Sequence, residues 1–245
     1  MADSQAVLVI GAYGGIGSSV ARLLVAGGNR VFLAGRDRAR LQSLAEDLAM
    51  PSAIVDAADA EALDICADRA VAELGKLTGI TNCAGSLLLK PAHLTTAADW
   101  QATLAASLTS SFNCVRAAGR LLRAEGGSVV LVSSAAARIG LPNHEAIAAA
   151  KAGIIGLVLS AAATYARQKI RFNAVAPGLV RTPLTQGLVS SELAEKASVA
   201  MHPLGRLGEP DEVARAIAFF LDPAQSWITG QVLGVDGGLA DLKGR

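Results

Sequence analysis

The sequence predicts an α/β protein, a single doubly wound Rossmann-type domain that spans residues 1–245 and contains a parallel sheet. Short β-branched runs alternate with amphipathic stretches of about 10 to 15 residues, the order expected of right-handed strand–helix–strand crossovers. A glycine-rich turn joins the first strand to the first helix. With 245 residues, 52% of them apolar, the chain can bury one large core. We find no linker, repeat or change of composition that indicates a second domain.

The predicted elements follow one another from the amino terminus. The predicted strands cover 6–10, 30–34, 52–55, 79–83, 129–133 and 171–175, and the predicted helices cover 15–26, 38–48, 60–74 and 146–166. The last helix is apolar on nearly every face, so we expect one side to meet another subunit, with burial inside one chain as the alternative. Lys151 and several glycines interrupt its apolar run, which favours a buried helix over a membrane span.

Composition limits the kinds of partner that we expect for this protein. The net charge of +1 lacks the basic excess that nucleic-acid binding requires. The amino terminus has no basic region of the kind that begins a secretory signal. Cys66, Cys83 and Cys114 show no metal or redox spacing and are interpreted as reduced structural thiols. We therefore expect a cytoplasmic protein with a small-molecule substrate, no metal, no nucleic acid and no membrane.

A glycine turn carries the first functional signal. It reads Gly11-Ala-Tyr-Gly-Gly-Ile-Gly17 and stands between a strand and a helix start. Gly11 permits the tight turn, Gly15 lets the backbone approach a pyrophosphate, and Gly17 lets the helix pack closely on the strand. The helix amino terminus then offers unpaired N–H groups to the phosphates of a dinucleotide. A tight turn without a ligand is the alternative.

The end of the second strand favours NADP(H) over NAD. An acidic residue there would bind the ribose 2′-hydroxyl, but the sequence has Gly35 followed by Arg36, which suits a 2′-phosphate. Arg38 and Arg40 are either further phosphate ligands or solvated helix charges. Asp56 follows the third strand, where it either accepts a hydrogen bond from the adenine amino group or caps the next helix.

Five motifs resemble the classical short-chain dehydrogenase/reductase family over almost the whole chain. They are the turn at 11–17, Asn82-Cys-Ala-Gly85, Asn173-Ala-Val-Ala-Pro-Gly178 with Thr182, Leu204-Gly-Arg-Leu-Gly-Glu-Pro210, and Gly230 through Val235-Asp-Gly-Gly238. The resemblance implies seven parallel strands and a homo-oligomer, a dimer or a tetramer, paired through long helices. The cofactor ligands expected from the turn, the strand ends and the resemblance are Gly11, Tyr13, Gly15, Ile16, Gly17, Arg36, Asp56, Asn82, Ala84, Gly85, Lys151, Pro177, Gly178 and Thr182.

The same resemblance exposes a divergent active site. It places the catalytic Ser at Ser134 and the catalytic Lys at Lys151, but the Tyr position holds Ile147 and the Asn position holds Ser107. In the family the Tyr acts as general acid and base, a role that typically contributes about 10²–10⁴-fold to the rate. Isoleucine cannot transfer a proton, so the usual proton transfer is lost while cofactor binding does not depend on that residue.

His144 is a hypothetical substitute for the missing acid. It precedes Lys151 by seven residues, which puts both on one helix face two turns apart, and histidine titrates near neutral pH. The alternative is a solvated residue in the loop that opens the helix. Two functions follow: an NADP(H)-dependent oxidoreductase for a small, moderately hydrophobic carbonyl, alcohol or enone, or a non-catalytic NADP(H)-binding sensor or partner subunit.

Overall fold

The computed structural model describes residues 4–242 and contains one sheet of seven parallel strands. The spatial order is β3-β2-β1-β4-β5-β6-β7. The strands are β1 Ala6–Ile10, β2 Arg30–Gly35, β3 Ser52–Ile54, β4 Gly79–Asn82, β5 Gly127–Val132, β6 Ile170–Pro177 and β7 Val232–Val235. The prediction of a doubly wound fold with a seven-stranded parallel sheet is confirmed.

Eight α-helices connect the strands within the described residues. They are α1 Gly15–Ala26, α2 Arg38–Leu48, α3 Ala60–Leu74, α4 Ala97–Leu104, α5 Ser110–Leu121, α6 Glu145–Tyr165, α7 Glu192–Ala200 and α8 Pro210–Leu221. The first three have the predicted bounds. Side chains mark the starts of α2 and α3, because the carboxylates of Asp37 and Asp59 accept the N–H groups of Arg40 and Ala62, each at 3.0 Å.

Apolar clusters cover both faces of the sheet, as an all-parallel sheet requires. Alternate side chains of β1 point to opposite faces, so Leu8 belongs to the apolar cluster that includes residues of α3, α5 and α6, while Val7 belongs to the cluster that includes residues of α1, α2 and α8. This two-sided burial explains the continuous apolar runs of the central strands.

Helix α6 packs against β6. It begins and ends one residue earlier than the predicted helix 146–166. Glu145–Gln168 is long and apolar enough to cross a membrane by length and composition, but eight residues of α6 are buried inside this fold, as in a core helix. Its outer face leaves Leu159 54% exposed, and Phe112 of the neighbouring α5 is equally exposed. The helix is therefore buried within the chain on one side only.

One strand, β7, and four helices, α4, α5, α7 and α8, are not among the predicted elements. The seventh strand, β7, was not located in the sequence because it is short, contains Gly234 and lies at the sheet edge. The helical region 97–121 was not assigned either, although Thr96 and Asp99 form a capping box at its start and would have indicated it.

Candidate active site

A cavity of about 400 Å³ opens beyond the carboxyl ends of β1 and β4, where the strand order reverses. Open α/β sheets bind their ligands at this switch point. The cavity is lined by Ile10, Gly11, Tyr13, Gly14, Gly15, Ile16, Gly35, Arg36, Arg40, Val55, Asp56, Ala57, Cys83, Ala84, Gly85, Ala106, Ser110, Thr182, Pro183 and Leu184. The fold thus gathers the glycine turn and the ends of the next strands around one space.

The glycine turn fits a pyrophosphate. Gly11 has a φ of +72°, and a Cβ on it would lie 2.5 Å from the backbone nitrogen of Ala84. A Cβ on Gly15 would lie 2.7 Å from the Thr182 side chain, so this position also has no room for a side chain. Helix α1 begins after Gly14, whose lack of a side chain leaves the first N–H groups uncapped, and its first turn has no acidic residue. Such a terminus attracts phosphate.

The far end of the cavity is basic. The Arg40 guanidinium lies 4.8 Å from the centre of the Tyr13 ring and donates to the Tyr13 carbonyl at 3.2 Å. Arg36 is 3.7 Å from the carboxylate of Asp56, and both side chains are more than half exposed. These residues surround the position where the adenosine ribose would lie beside the end of β2.

Asp56 is not a helix cap. Its carboxylate accepts from the backbone N–H of Ala58 at 3.0 Å, and Asp59 caps α3 instead. The capping alternative is therefore wrong, because the loop continues for three more residues before the helix begins.

Asn82 lies at the end of β4 with a buried side chain. Its amide nitrogen donates to the hydroxyls of Ser110 and Ser111 at 3.0 and 3.2 Å, and its oxygen accepts from Ala84 N–H at 3.0 Å. The side chain therefore holds Ala84 and its neighbour Gly85 at the cavity wall. Its direct contacts are with the protein.

Lys151 is buried, with 7% of its surface exposed, and its Nζ donates to the carbonyl of Val132 at 2.8 Å. Burial lowers the pKa of this amine to about 8, because the charged form loses hydration. The hydroxyl of Ser133 donates to the Lys151 carbonyl at 2.8 Å, which joins α6 to the end of β5. Ser133 was missed at the sequence level, where only its neighbour Ser134 was singled out.

A π-helical turn at Ala105–Thr109 separates α4 from α5. It holds Ser107, which is fully buried and whose hydroxyl has no hydrogen-bond partner among residues 4–242. A Cβ on Gly85 would lie 3.3 Å from the Lys151 Nζ and 3.9 Å from the Ser107 Oγ, so both groups face the same glycine. Such π turns often mark functional sites.

The remaining catalytic candidates lie just after β5 and at the start of α6, outside the set of residues that line the cavity. Ser134 is half-buried, and its Oγ accepts from Ala136 N–H at 3.1 Å. Ile147 is buried, with 4% exposed. His144 stands at the start of α6 with Nδ1 2.7 Å from the Pro142 carbonyl, and its seven-residue separation from Lys151 corresponds to about 10 Å along the helix.

The segment after β6 closes the cavity from the other side. Pro177 ends β6, Gly178 follows it, and Thr182 packs against the glycine turn with its hydroxyl 3.0 Å from that of Thr185. Cys83, Ala106 and Ser110 also line the cavity but carry no signal in the sequence as ligands. Burial raises the pKa of the Cys83 thiol to about 11, so it stays protonated at neutral pH.

The cavity and its cradle define a dinucleotide-binding α/β protein. A family model described as enoyl-(acyl carrier protein) reductase matches residues 11–240. The chain belongs to the short-chain dehydrogenase/reductase family, whose members bind a nicotinamide cofactor.

Relatives of known activity are oxidoreductases. The chain is 39% identical to cis-4-hydroxycyclohexanecarboxylate dehydrogenase of Sinomonas cyclohexanicum, over 96% of each chain. It is 32% identical to a 3-oxoacyl-(acyl-carrier-protein) reductase of Thermotoga maritima, over 97% of this chain and 98% of that one. Among solved structures, a short-chain type dehydrogenase/reductase from Mycobacterium ulcerans superposes with a TM-score of 0.93 at 30% identity, covering 99% of this chain and 91% of the other.

Proposed function

We propose that this protein is an NADP(H)-dependent oxidoreductase for a small, moderately hydrophobic carbonyl, alcohol or enone, with a proton transfer that does not use tyrosine. The observation that carries the proposal is the buried Lys151, whose amine faces Gly85 beside the Ser107 hydroxyl, which has no hydrogen-bond partner in the described part of the chain. Burying a lysine is costly, and a buried, perturbed amine in a cleft is typical of a functional site.

The cofactor would be held along the whole cavity. The glycine turn would take the pyrophosphate, while Arg36 and Arg40 would take the 2′-phosphate through charge-assisted hydrogen bonds. Asp56 would accept from the adenine, and Lys151 would bind the nicotinamide ribose. When bound, the reduced nicotinamide supplies a hydride to the substrate carbon.

The proton has two candidate sources. Lys151, with its pKa lowered to about 8, is mostly protonated at pH 7 and still acidic enough to release a proton. His144 lies at the helix start, in contact with the Pro142 carbonyl.

Ser134 would orient the substrate oxygen. Ile147 contributes only an apolar wall.

Lys151→Arg separates the two sources. Arginine keeps the positive charge but does not release a proton near neutral pH. If Lys151 is the acid, this variant binds NADPH and loses turnover, while His144→Ala leaves turnover unchanged. The reverse pattern assigns the proton to His144.

The proposal is tested by following NADPH oxidation with ketones, aldehydes, quinones and enones. An enzyme is supported if turnover is abolished in Ser134→Ala and unchanged in the control variant Ser160→Ala, which replaces an exposed serine. NADPH binding shown by a thermal shift, with no turnover on any substrate, favours the second candidate, a non-catalytic sensor or partner subunit. The observation in favour of that second candidate is that Ile147 occupies the position of the family's tyrosine.

The Ile147→Tyr variant then tests whether a tyrosine at this position is enough to give the site turnover.

We also propose that the protein forms a homo-oligomer, a dimer or a tetramer. Phe112 on α5 and Leu159 on α6 are each 54% exposed on neighbouring helices, an apolar surface suited to a second copy of the chain.

A further inference from the structure

His202 bridges two separate backbone segments from a buried position. It lies just after α7, and 3% of its surface is exposed. Its Nδ1 is 2.8 Å from the carbonyl oxygen of Ser198 in α7, and its Nε2 is 3.1 Å from the backbone nitrogen of Leu179. A backbone N–H can only donate, so Nε2 accepts and Nδ1 carries the proton that binds Ser198. The contacts therefore require the neutral imidazole in one tautomer.

The Leu179 end of this bridge leads directly to the cofactor cavity. Leu179 follows β6, and its carbonyl accepts from the N–H of Gly208 at 3.0 Å. Three residues later, Thr182 packs against the position where Gly15 has no side chain. Since only Val180 and Arg181 separate the two, a shift of Leu179 changes where Thr182 stands against the glycine turn.

Gly178 makes room for the imidazole. A Cβ at this position would lie 2.7 Å from Nε2 of His202 and 3.0 Å from the Cα of Asp236. Gly178 is not among the glycines with a positive φ, so its backbone conformation is open to other residues. The glycine is required by the close approach of the ring, and positions 178 and 202 interlock.

The charged groups around the imidazole have partners of their own. Arg206 donates to the carboxylate of Glu212 at 2.7 Å. The two carboxylate oxygens of Asp236 accept from the N–H groups of Gly238 and Ala240 at 2.9 and 3.0 Å. The ring is thus left with its two backbone contacts.

We propose that His202 is a positioning residue that ties together the two ends of segment 179–202 and thereby holds Thr182 against the dinucleotide cavity. The cofactor part rests on the proposed function, which assigns that cavity to NADP(H). Loss of the bridge would populate conformations that cannot bind NADP(H). The apparent dissociation constant for NADP(H) would then rise as the fraction of binding-competent protein falls.

His202→Leu and His202→Gln test this directly. Glutamine can place an oxygen near the position of Nε2 and accept from Leu179, whereas leucine cannot. We expect His202→Leu to weaken NADPH binding by up to about tenfold in a fluorescence titration, the limit set by losing the bond to Leu179, and His202→Gln to restore most of the affinity. Circular dichroism establishes the temperature range in which both variants are folded.

Amide hydrogen exchange, measured without cofactor, tests the His202 bridge independently of the proposed NADP(H) binding. Residues 178–185 should exchange faster in His202→Leu than in the wild type or in His202→Gln. Gly178→Ala should reproduce the leucine variant, while Gly187→Ala, where a Cβ would meet nothing within 4 Å, should behave as wild type.

Equal exchange in all variants, or equal loss of NADPH affinity in the leucine and glutamine variants, would overturn the role of His202. Wild-type protein that binds no NADPH while the exchange difference persists would refute the proposed cofactor and leave the bridge in place.

Discussion

Replacing Lys151 with methionine should stabilise the protein in the absence of cofactor and weaken its affinity for NADPH. Methionine has a similar length and fills the same buried volume, but it carries no charge that must be desolvated. The wild-type chain keeps this amine although its burial opposes folding. Such opposition is expected where a residue serves a ligand.

The magnitude follows from the change in pKa. Burial lowers the pKa of Lys151 from 10.5 to about 8. The unfolded chain therefore binds more protons between these values, so wild-type stability rises with pH across this window. At pH 7 the penalty on the folded state is roughly 3 kcal/mol, and at pH 10 it falls to about 1 kcal/mol. Losing the bond to the Val132 carbonyl costs about 1 kcal/mol. We thus expect a net gain of roughly 2 kcal/mol at pH 7 that disappears by pH 10.

Urea unfolding of the cofactor-free protein at both pH values measures this gain, with the exposed Lys76→Met as the control for loss of a positive charge. NADPH titration of the same samples measures binding. A destabilised Lys151→Met at pH 7, or a gain that does not shrink at pH 10, would refute the assignment of a buried, destabilising amine.

Three further changes probe other parts of the structure. Gly17→Ala should cost about 1–3 kcal/mol in urea unfolding and weaken NADPH binding, because its Cβ would lie 2.2 Å from the Gly11 carbonyl; wild-type values in both assays would contradict the tight turn. Arg206 and a backbone N–H lower the pKa of Glu212 to about 2, so this carboxylate stabilises the fold above its ordinary pKa of 4.5 and loses that effect as the pH falls toward 2. Glu212→Gln should therefore cost under about 1 kcal/mol at pH 6 and progressively less on acidification, and a cost independent of pH would show that the ion pair is not its source. Leu159→Glu should shift the oligomer toward monomer in sedimentation velocity, and an unchanged sedimentation coefficient would exclude this face as the interface.

The order of the first six strands and of helices α1, α2, α3 and α6 was predictable from the sequence because local patterns determine it. β-branched runs such as Ala6–Ile10 are buried on both faces, and capping residues such as Asp37 and Asp59 mark helix starts without any long-range contact. β7 lacked such a pattern, since a short edge strand containing glycine gains its place from pairing with β6.

The features of the candidate site likewise fall into those predictable from the sequence and those that only the structure shows. Sequence alone determined that the turn at 11–17 has the glycines a phosphate cradle needs and that Ile147 cannot transfer a proton, because these follow from the chemistry of single residues. The preference for NADP(H), inferred from Gly35 and Arg36, stays a prediction. Only the tertiary structure decided that the Asn82 amide bonds to Ser110, that the Ser107 hydroxyl beside Gly85 has no hydrogen-bond partner among residues 4–242, and that His202 accepts from Leu179. Those facts depend on burial and on contacts between distant segments, which local sequence patterns do not encode.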